Sequence, residues 1–253
     1  MVNVSIAPRE GGTVAYVTIG TGTKLNIIDS ALMSAFIEAM DGLASRDDLR
    51  AVVLTGAGDR AFIGGADIHE MAALDAASAE IFITRLHHMC QALRDLPAPV
   101  IARISGYALG AGLEVAAACD LRVASTTAVF GMPEVKVGIP SVIEAALLPQ
   151  LIGWGRTREL LLLGENVDAE TALRWGLVER VVAPEEIDSA IETWIAALFQ
   201  AGAKAVRLQK ALIRQWEDLP LREAVQAGIK SFAQAYATDE PARMMGAFIH
   251  RRR

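Results

Sequence analysis

An α/β fold that ends in a helical region is what this sequence predicts. Three observations lead there. Short β-branched segments bounded by glycines alternate with stretches of helical spacing through about residue 130. Beyond that point apolar residues recur mostly at helical spacing, with prolines opening several segments. Finally, 53% of the 253 residues are hydrophobic and 21% charged, which supplies a sizeable core, and no Ser/Gly-rich linker interrupts the chain. One large domain, or one domain with a helical appendage from about residue 196, accommodates this pattern.

Residues 13–19 (TVAYVTI) read as a strand and 20–26 as a turn. Leu32, Phe36, Met40 and Leu43 give 29–44 a helical face, with Asp29 or Ser30 as cap and Gly42 near its end. Residues 49–55 (LRAVVLT) form a buried strand, followed by a long Gly-rich loop over 56–67. Helical patterns begin at 68–74 and again at 79–96, where Pro97 stops the second. Strands are expected over 99–105, 121–124 and 128–130. Ser141 and Glu144 have capping-box spacing and open a helix that Pro149 limits. Short helices follow at 156–163 and 168–175, split by Gly164, and then a strand at 177–182. The remainder is helical: 184–199, 203–216, 221–236 and 242–251.

Charge and cysteine content narrow the function. Against 24 basic side chains stand 30 acidic ones, a net charge of −6, which opposes a general nucleic-acid or membrane-surface role. The basic cluster is the end of the chain, His250-Arg251-Arg252-Arg253. Cys90 and Cys119 lie far apart without metal-ligand spacing, and read as free buried thiols in a reducing compartment. The N-terminus resembles neither a signal nor a transit peptide, and no uncharged apolar run is long enough to span a membrane. A cytoplasmic protein is expected.

Gly56-Ala57-Gly58-Asp59-Arg60-Ala61 matches a dinucleotide-binding pattern after a strand. That pattern needs a helix to start at once, and Gly64-Gly65 follow instead, so it is set aside. Phosphate-loop spacing, Cys/His metal spacing and a G-x-S-x-G elbow are missing from the sequence, and no metal is expected. His69, His87, His88 and His250 make no recognisable pair; His87 and His88 are expected to be partly exposed structural residues. What remains is two Gly-rich loops after strands, Gly64-Gly65-Ala66-Asp67 and Gly110-Ala111-Gly112, with Glu114 and Glu134 downstream. Two such loops can aim two backbone N–H groups at one oxygen, and two carboxylates can divide acid and base roles. The plain reading of the second loop is a tight turn under an Ala-rich helix, with Glu114 capping or paired.

Three ordered stretches carry a resemblance: Val52-Val-Leu-Thr-Gly-Ala-Gly-Asp-Arg-Ala-Phe-Ile-Gly-Gly-Ala-Asp-Ile-His-Glu-Met71, Ser105-Gly-Tyr-Ala-Leu-Gly-Ala-Gly-Leu-Glu114 and Phe130-Gly-Met-Pro-Glu-Val-Lys-Val-Gly-Ile-Pro140. By these the chain resembles the enoyl-CoA hydratase/isomerase (crotonase) superfamily along almost its whole length. The resemblance implies a crotonase-like spiral of ββα repeats over 1–195, holding an acyl-CoA thioester, and a helical trimerisation region over 196–253. It implies homotrimers or hexamers built as dimers of trimers, and no cofactor, coenzyme A being part of the substrate. The oxyanion hole would be the N–H groups of Ala66 and Ala111, the latter commonly a glycine in relatives. Glu114 would activate water for attack at Cβ, and Glu134 would deliver a proton to Cα. Substrate contacts would fall at Lys24 and Leu25, at Gly64, Gly65, Asp67 and Ile68, and at Gly110. Arg251 or its neighbours could meet a CoA phosphate from an adjacent subunit.

Relatives usually carry Gly-Ala-Gly-Gly-Thr-Gln-Arg-Leu after the matching proline. This chain has Ser141-Val142-Ile143-Glu144-Ala145-Ala146-Leu147-Leu148. Glu144 either closes a capping box with Ser141 or projects toward the acyl tail. The resemblance points to an enoyl-CoA hydratase. Isomerase, decarboxylase and hydrolase relatives share the oxyanion hole, and a paralogue that binds RNA or a protein partner is the non-enzymatic alternative.

Overall fold

Apolar runs in the first half of the chain assemble into two sheets. The computed structural model describes residues 1–251, the last of these without its side chain. A hairpin of β1 (Val2–Arg9) and β2 (Gly12–Ile19) leads into α1 (Ser30–Ala44). Three units follow, each of two strands and a helical segment. The first is β3 (Leu49–Gly56), β4 (Ala61–Ile63), α2 (Ile68–Ala72) and α3 (Ala76–Asp95). The second is β5 (Val100–Ile104), β6 (Tyr107–Leu109) and α4 (Ala111–Ala118). The third is β7 (Leu121–Ser125), β8 (Val129–Gly131), two 3-10 turns (Pro133–Val137, Ile143–Leu147) and α5 (Leu148–Leu163). In each unit the first strand joins one sheet and the second joins another. The result is a six-stranded sheet in the order β1-β2-β3-β5-β7-β10 and a four-stranded one in the order β4-β6-β8-β9, where β9 is Val167–Asp168 and β10 is Arg180–Val182. This is the expected spiral of ββα repeats.

Alternation along the strands explains the layers, because successive side chains point to opposite faces. On β3, Val52 and Leu54 face the main core with Phe36 and Met40 of α1 and Met89 of α3. Ala51 and Val53 face the other way, with Ile101 and Val123, onto Ile187, Ile191 and Ile195 of α7 (Ile187–Gln200). Parallel strands covered on both faces read as continuous apolar runs, as these do.

The structure corrects several boundaries. Asp75 accepts from the Ser78 N–H and forms a capping box with it, so α3 begins at Ala76 rather than at 79. No helix starts at Ser141. Pro149 lies in the first turn of α5, where its missing N–H costs nothing. That helix includes the segment expected over 156–163 and bends at Gly153, whose φ is 78°. Strands β1, β4, β6 and β9 were not anticipated; β4 and β6 are only three residues long and sit inside the Gly-rich stretches. The expected strand at 177–182 shrinks to β10, and α6 (Ala169–Trp175) precedes it with Asp168 as cap.

The tail comprises α8 (Ala203–Asp218), α9 (Leu221–Ala235) and α10 (Glu240–Arg251). Lys210, buried on α8, donates to Leu93 O, Ala98 O and Asp120 Oδ2 at 3.2, 3.1 and 2.7 Å, which ties the helix to the body. Glu240 accepts from the Lys204 and Ala205 N–H groups at the start of α8, and so holds α10. The expected division between 195 and 196 falls inside α7.

Candidate active site

Parallel pairing of β4 with β6 sets the two Gly-rich loops side by side, since both loops leave the same end of neighbouring strands. Their approach is close. A β-carbon on Gly65 would lie 3.5 Å from Leu109 O, and one on Gly112 only 2.1 Å from Ile63 O. Leu25 is drawn in as well: the Gly64 N–H donates to Leu25 O at 2.7 Å. An isolated bridge joins Ile28 to Ala66, with Ile28 N–H donating to Gly65 O and Asp67 N–H to Ile28 O. Those bonds use the groups on either side of Ala66, and its own N–H finds no acceptor among the described residues. Ala111 opens α4, where the first N–H groups have no intrahelical acceptor, and it too is without one.

The other expected contacts are placed as follows. Lys24 is exposed beside Leu25. Asp67 caps α2, accepting from the His69 and Glu70 N–H groups, and Ile68 is exposed. Asn26 is fully buried; its amide donates to Ala57 O and Ala61 O and pins the 24–28 segment to the turn before β4. Of the terminal arginines, Arg252, Arg253 and the Arg251 side chain lie outside the described residues.

Both glutamates reach the same place. Glu114 sits in the first turn of α4 and is 4% exposed; its Oε1 accepts from the Ala145 N–H at 3.3 Å. Glu134 lies on the first 3-10 turn, its Oε2 accepting from Ser141 Oγ at 2.8 Å. Its Oε1 rests over Gly110, whose φ of 52° and ψ of −120° suit only glycine. Burial, then the nearby Glu134 and Glu144 charges, push the Glu114 carboxyl up to about 8, against the single Ala145 bond that favours ionisation. The apolar surroundings thus favour the neutral form of the Glu114 carboxyl near neutral pH.

The expected Ser141–Glu144 cap is not formed. Residues 143–147 make a 3-10 turn with no side-chain cap, and the two residues turn to different partners. Ser141 holds Glu134. Glu144 is 5% exposed and its Oε1 lies 2.9 Å from His87 Nδ1 on α3. His87 is therefore no isolated structural residue, although it is partly exposed as expected. A sequence signal for it existed: position 87 is three residues before Cys90 and adjoins the buried stripe of Leu86, Cys90 and Leu93. Grooves of about 490 Å3 between α8 and α9 and about 700 Å3 between α1 and α3 contain neither site glutamate. The buried, raised Glu114 carboxyl, not groove size, points to the candidate site.

Among the described residues no group of three His, Cys, Asp or Glu side chains is arranged to hold a metal, and no helix is long and apolar enough to cross a membrane. The family model described as enoyl-CoA hydratase/isomerase matches residues 9–253. A short-chain-enoyl-CoA hydratase from Clostridium acetobutylicum is 33% identical over 253 residues, covering 100% of this chain and 97% of that one. A crotonyl-CoA hydratase from Syntrophomonas wolfei is 31% identical over 99% of this chain and 96% of its own. The crystal structure of an enoyl-CoA hydratase from Mycobacterium smegmatis superposes with a TM-score of 0.93 at 32% identity, covering 99% and 97% of the two chains.

Proposed function

The chain belongs to the enoyl-CoA hydratase/isomerase family, and we propose that it adds water across the double bond of a 2-enoyl-CoA. One observation carries this reading: two carboxylates, Glu114 and Glu134, flank the Gly110–Ala111 turn, beside two loops whose Ala66 and Ala111 N–H groups lack acceptors among the described residues. Those N–H groups bind the thioester oxygen and stabilise the enolate-like charge that develops on it. Glu114, once ionised, takes a proton from water as the oxygen attacks Cβ. Glu134 gives its proton to Cα. Water and enoyl thioester thus become a 3-hydroxyacyl thioester, with one proton moved onto Glu114 and one lost from Glu134. This chemistry calls for no cofactor.

The experiment is turnover of crotonyl-CoA with product mass recorded. A hydratase product gains one water, whereas an isomerase leaves the mass unchanged. Glu114→Gln and Glu134→Gln should each lower turnover by ~10²-fold or more, the scale of general acid–base loss. Wild-type rates in both variants would remove these roles.

The helical tail supports assembly through α8 to α10. Leu221, Val225, Ile229, Phe232 and Tyr236 form an exposed apolar stripe along α9, of the kind that a second copy covers. A homotrimer, or a hexamer of two trimers, fits this face. Both cysteines are buried free thiols, which suits a reducing cytoplasm.

A further inference from the structure

Glu144 is expensive where it stands. Its carboxylate is buried, and Oε2 has no hydrogen-bond partner among the described residues. The backbone before it is strained too: Ile143, β-branched, has a φ of 39°. Helix capping recovers neither cost, because no cap forms. Strain and an orphaned polar atom that persist beside a reacting group point to a role there. What Glu144 does hold is His87. With the carboxylate ionised, the ring Nδ1–H donates to Oε1 at 2.9 Å, and this bond spans from α3 to the 143–147 turn.

The turn matters because of its next residue. It packs against both α3 and α4, and the Ala145 N–H closes it by donating to Val142 O at 2.9 Å. The same N–H is shared with Glu114 Oε1 at 3.3 Å, and no other donor bonds the Glu114 carboxyl among the described residues. A shared hydrogen bond of that length weakens with small displacements of its donor. Ala145 adjoins Glu144 in the chain, so the place of this N–H follows where the Glu144 side chain is anchored. The ionisable groups facing Glu114 offer no substitute: Glu134 from the first 3-10 turn, Glu144 from the second and Cys90 from α3. Burial pushes the Cys90 thiol up and both carboxylates near it add to the effect, so it stays neutral. Besides Glu144, His87 faces the His88 ring, its centroid 5.9 Å away.

We infer that His87 and Glu144 are positioning residues for Glu114: their hydrogen bond fastens the 143–147 turn to α3 and so aims the Ala145 N–H at the Glu114 carboxylate. This rests on the base role proposed for Glu114. The pair transfers no proton and touches no substrate atom in this scheme; it acts through the backbone of the turn. An N–H aimed at a carboxylate favours the ionised form, which is the form a base needs. Burial and the neighbouring carboxylates oppose that form, and the Ala145 bond is what works against them. A turn released from α3 would lose this contact, and Glu114 would hold its proton more tightly.

The test measures kcat, KM and the pH dependence of kcat/KM for crotonyl-CoA hydration in His87→Ala and His87→Asn. The His87 side chain is 43% exposed, so both variants should fold. His87→Ala should lower kcat about three- to tenfold, the value of one hydrogen bond, with KM little changed. Its rise of kcat/KM with pH should move to higher pH, because Glu114 has lost the contact that favours ionisation. His87→Asn keeps a neutral N–H near the place of Nδ1 and should restore both quantities. Wild-type kcat and pH profile in His87→Ala, alongside an inactive Glu114→Gln, would overturn the inference whatever happens to Tm, and would leave the hydratase reading standing. Failure of His87→Asn to restore the profile would also overturn it, since the hydrogen bond would then not be what His87 contributes. Full activity in Glu114→Gln would remove the base role itself, and with it anything for the pair to position.

Discussion

Glu134 lies directly against Gly110: a β-carbon at position 110 would be 2.5 Å from its Oε1. The turn that exposes the Ala111 N–H thus also provides the seat of the second carboxylate. Gly110→Ala should act twice. Its φ of 52° and ψ of −120° cost any side chain about 1–3 kcal/mol, and the methyl group displaces Glu134. Expected is a modest fall in Tm with a loss of kcat of ~10²-fold or more. A variant that lost stability but kept its kcat would separate Glu134 from the chemistry.

Ala111 and Gly112 should respond in opposite ways. Only the N–H of Ala111 enters the proposed oxyanion hole, so Ala111→Gly should keep kcat within a few-fold of wild type. A β-carbon on Gly112 would meet backbone, Ile63 O at 2.1 Å, where no side chain can move aside. Gly112→Ala should destabilise the fold by about 3 kcal/mol or more, the scale of severe overpacking. Urea unfolding of both variants decides the matter; a stable Gly112→Ala would mean that the two loops are not so tightly apposed.

The pH dependence follows from Glu114. Its folded-state value is raised from 4.5 to about 8, so the fold favours the neutral form. Between those limits the unfolded chain has released this proton and the folded chain has not. The contribution of Glu114 to stability is therefore fully present below 4.5 and declines as pH rises toward 8, by about 1.4 kcal/mol per pH unit. Glu114→Gln removes the titration, so its stability relative to wild type should climb from pH 5 to pH 8. A constant difference across that window would contradict the assignment. For catalysis the sign is opposite: as a base, Glu114 works ionised, so kcat/KM should rise as pH climbs toward 8. A fall over the same range would make Glu114 the acid.

Ser141 is expected to matter through Glu134 alone. Its hydroxyl donates to Oε2 at 2.8 Å, so Ser141→Ala should lower kcat by about 3- to 10-fold, the value of one hydrogen bond, while Tm stays within a degree or two. A large loss of stability without a rate effect would restore a capping role for this serine.

Phe232→Glu places a charge in the α9 stripe, next to Tyr236, whose ring centroid lies 5.2 Å from that of Phe232. Light scattering should show the proposed trimer dissociating. An unaltered oligomer would move the interface to another face.

Much of this was legible in the residues. Period-2 and helical spacing identified β2, β3, β5, β7 and most helices, because those segments bury long apolar faces whose pattern is local. The two Gly-rich loops and both glutamates stood out because close backbone approach and a carboxylate in an apolar helix are unusual in composition. Strands β4 and β6 were hidden, since three residues cannot express a period and their pairing is with each other across more than forty positions. The Ser141–Glu144 spacing misled for a related reason: S-x-x-E describes a cap only if a helix follows immediately, and here Ile143 at positive φ turns the chain first.

By itself, then, the sequence determined the α/β alternation, the helical tail, the two candidate loops and the acids, all consequences of local pattern and residue chemistry. Tertiary structure alone decided that β4 and β6 set those loops together, that Ser141 serves Glu134, and that Glu144 turns inward to His87. Those outcomes depend on contacts between residues tens of positions apart, and no local periodicity encodes which remote partner a buried polar group will find.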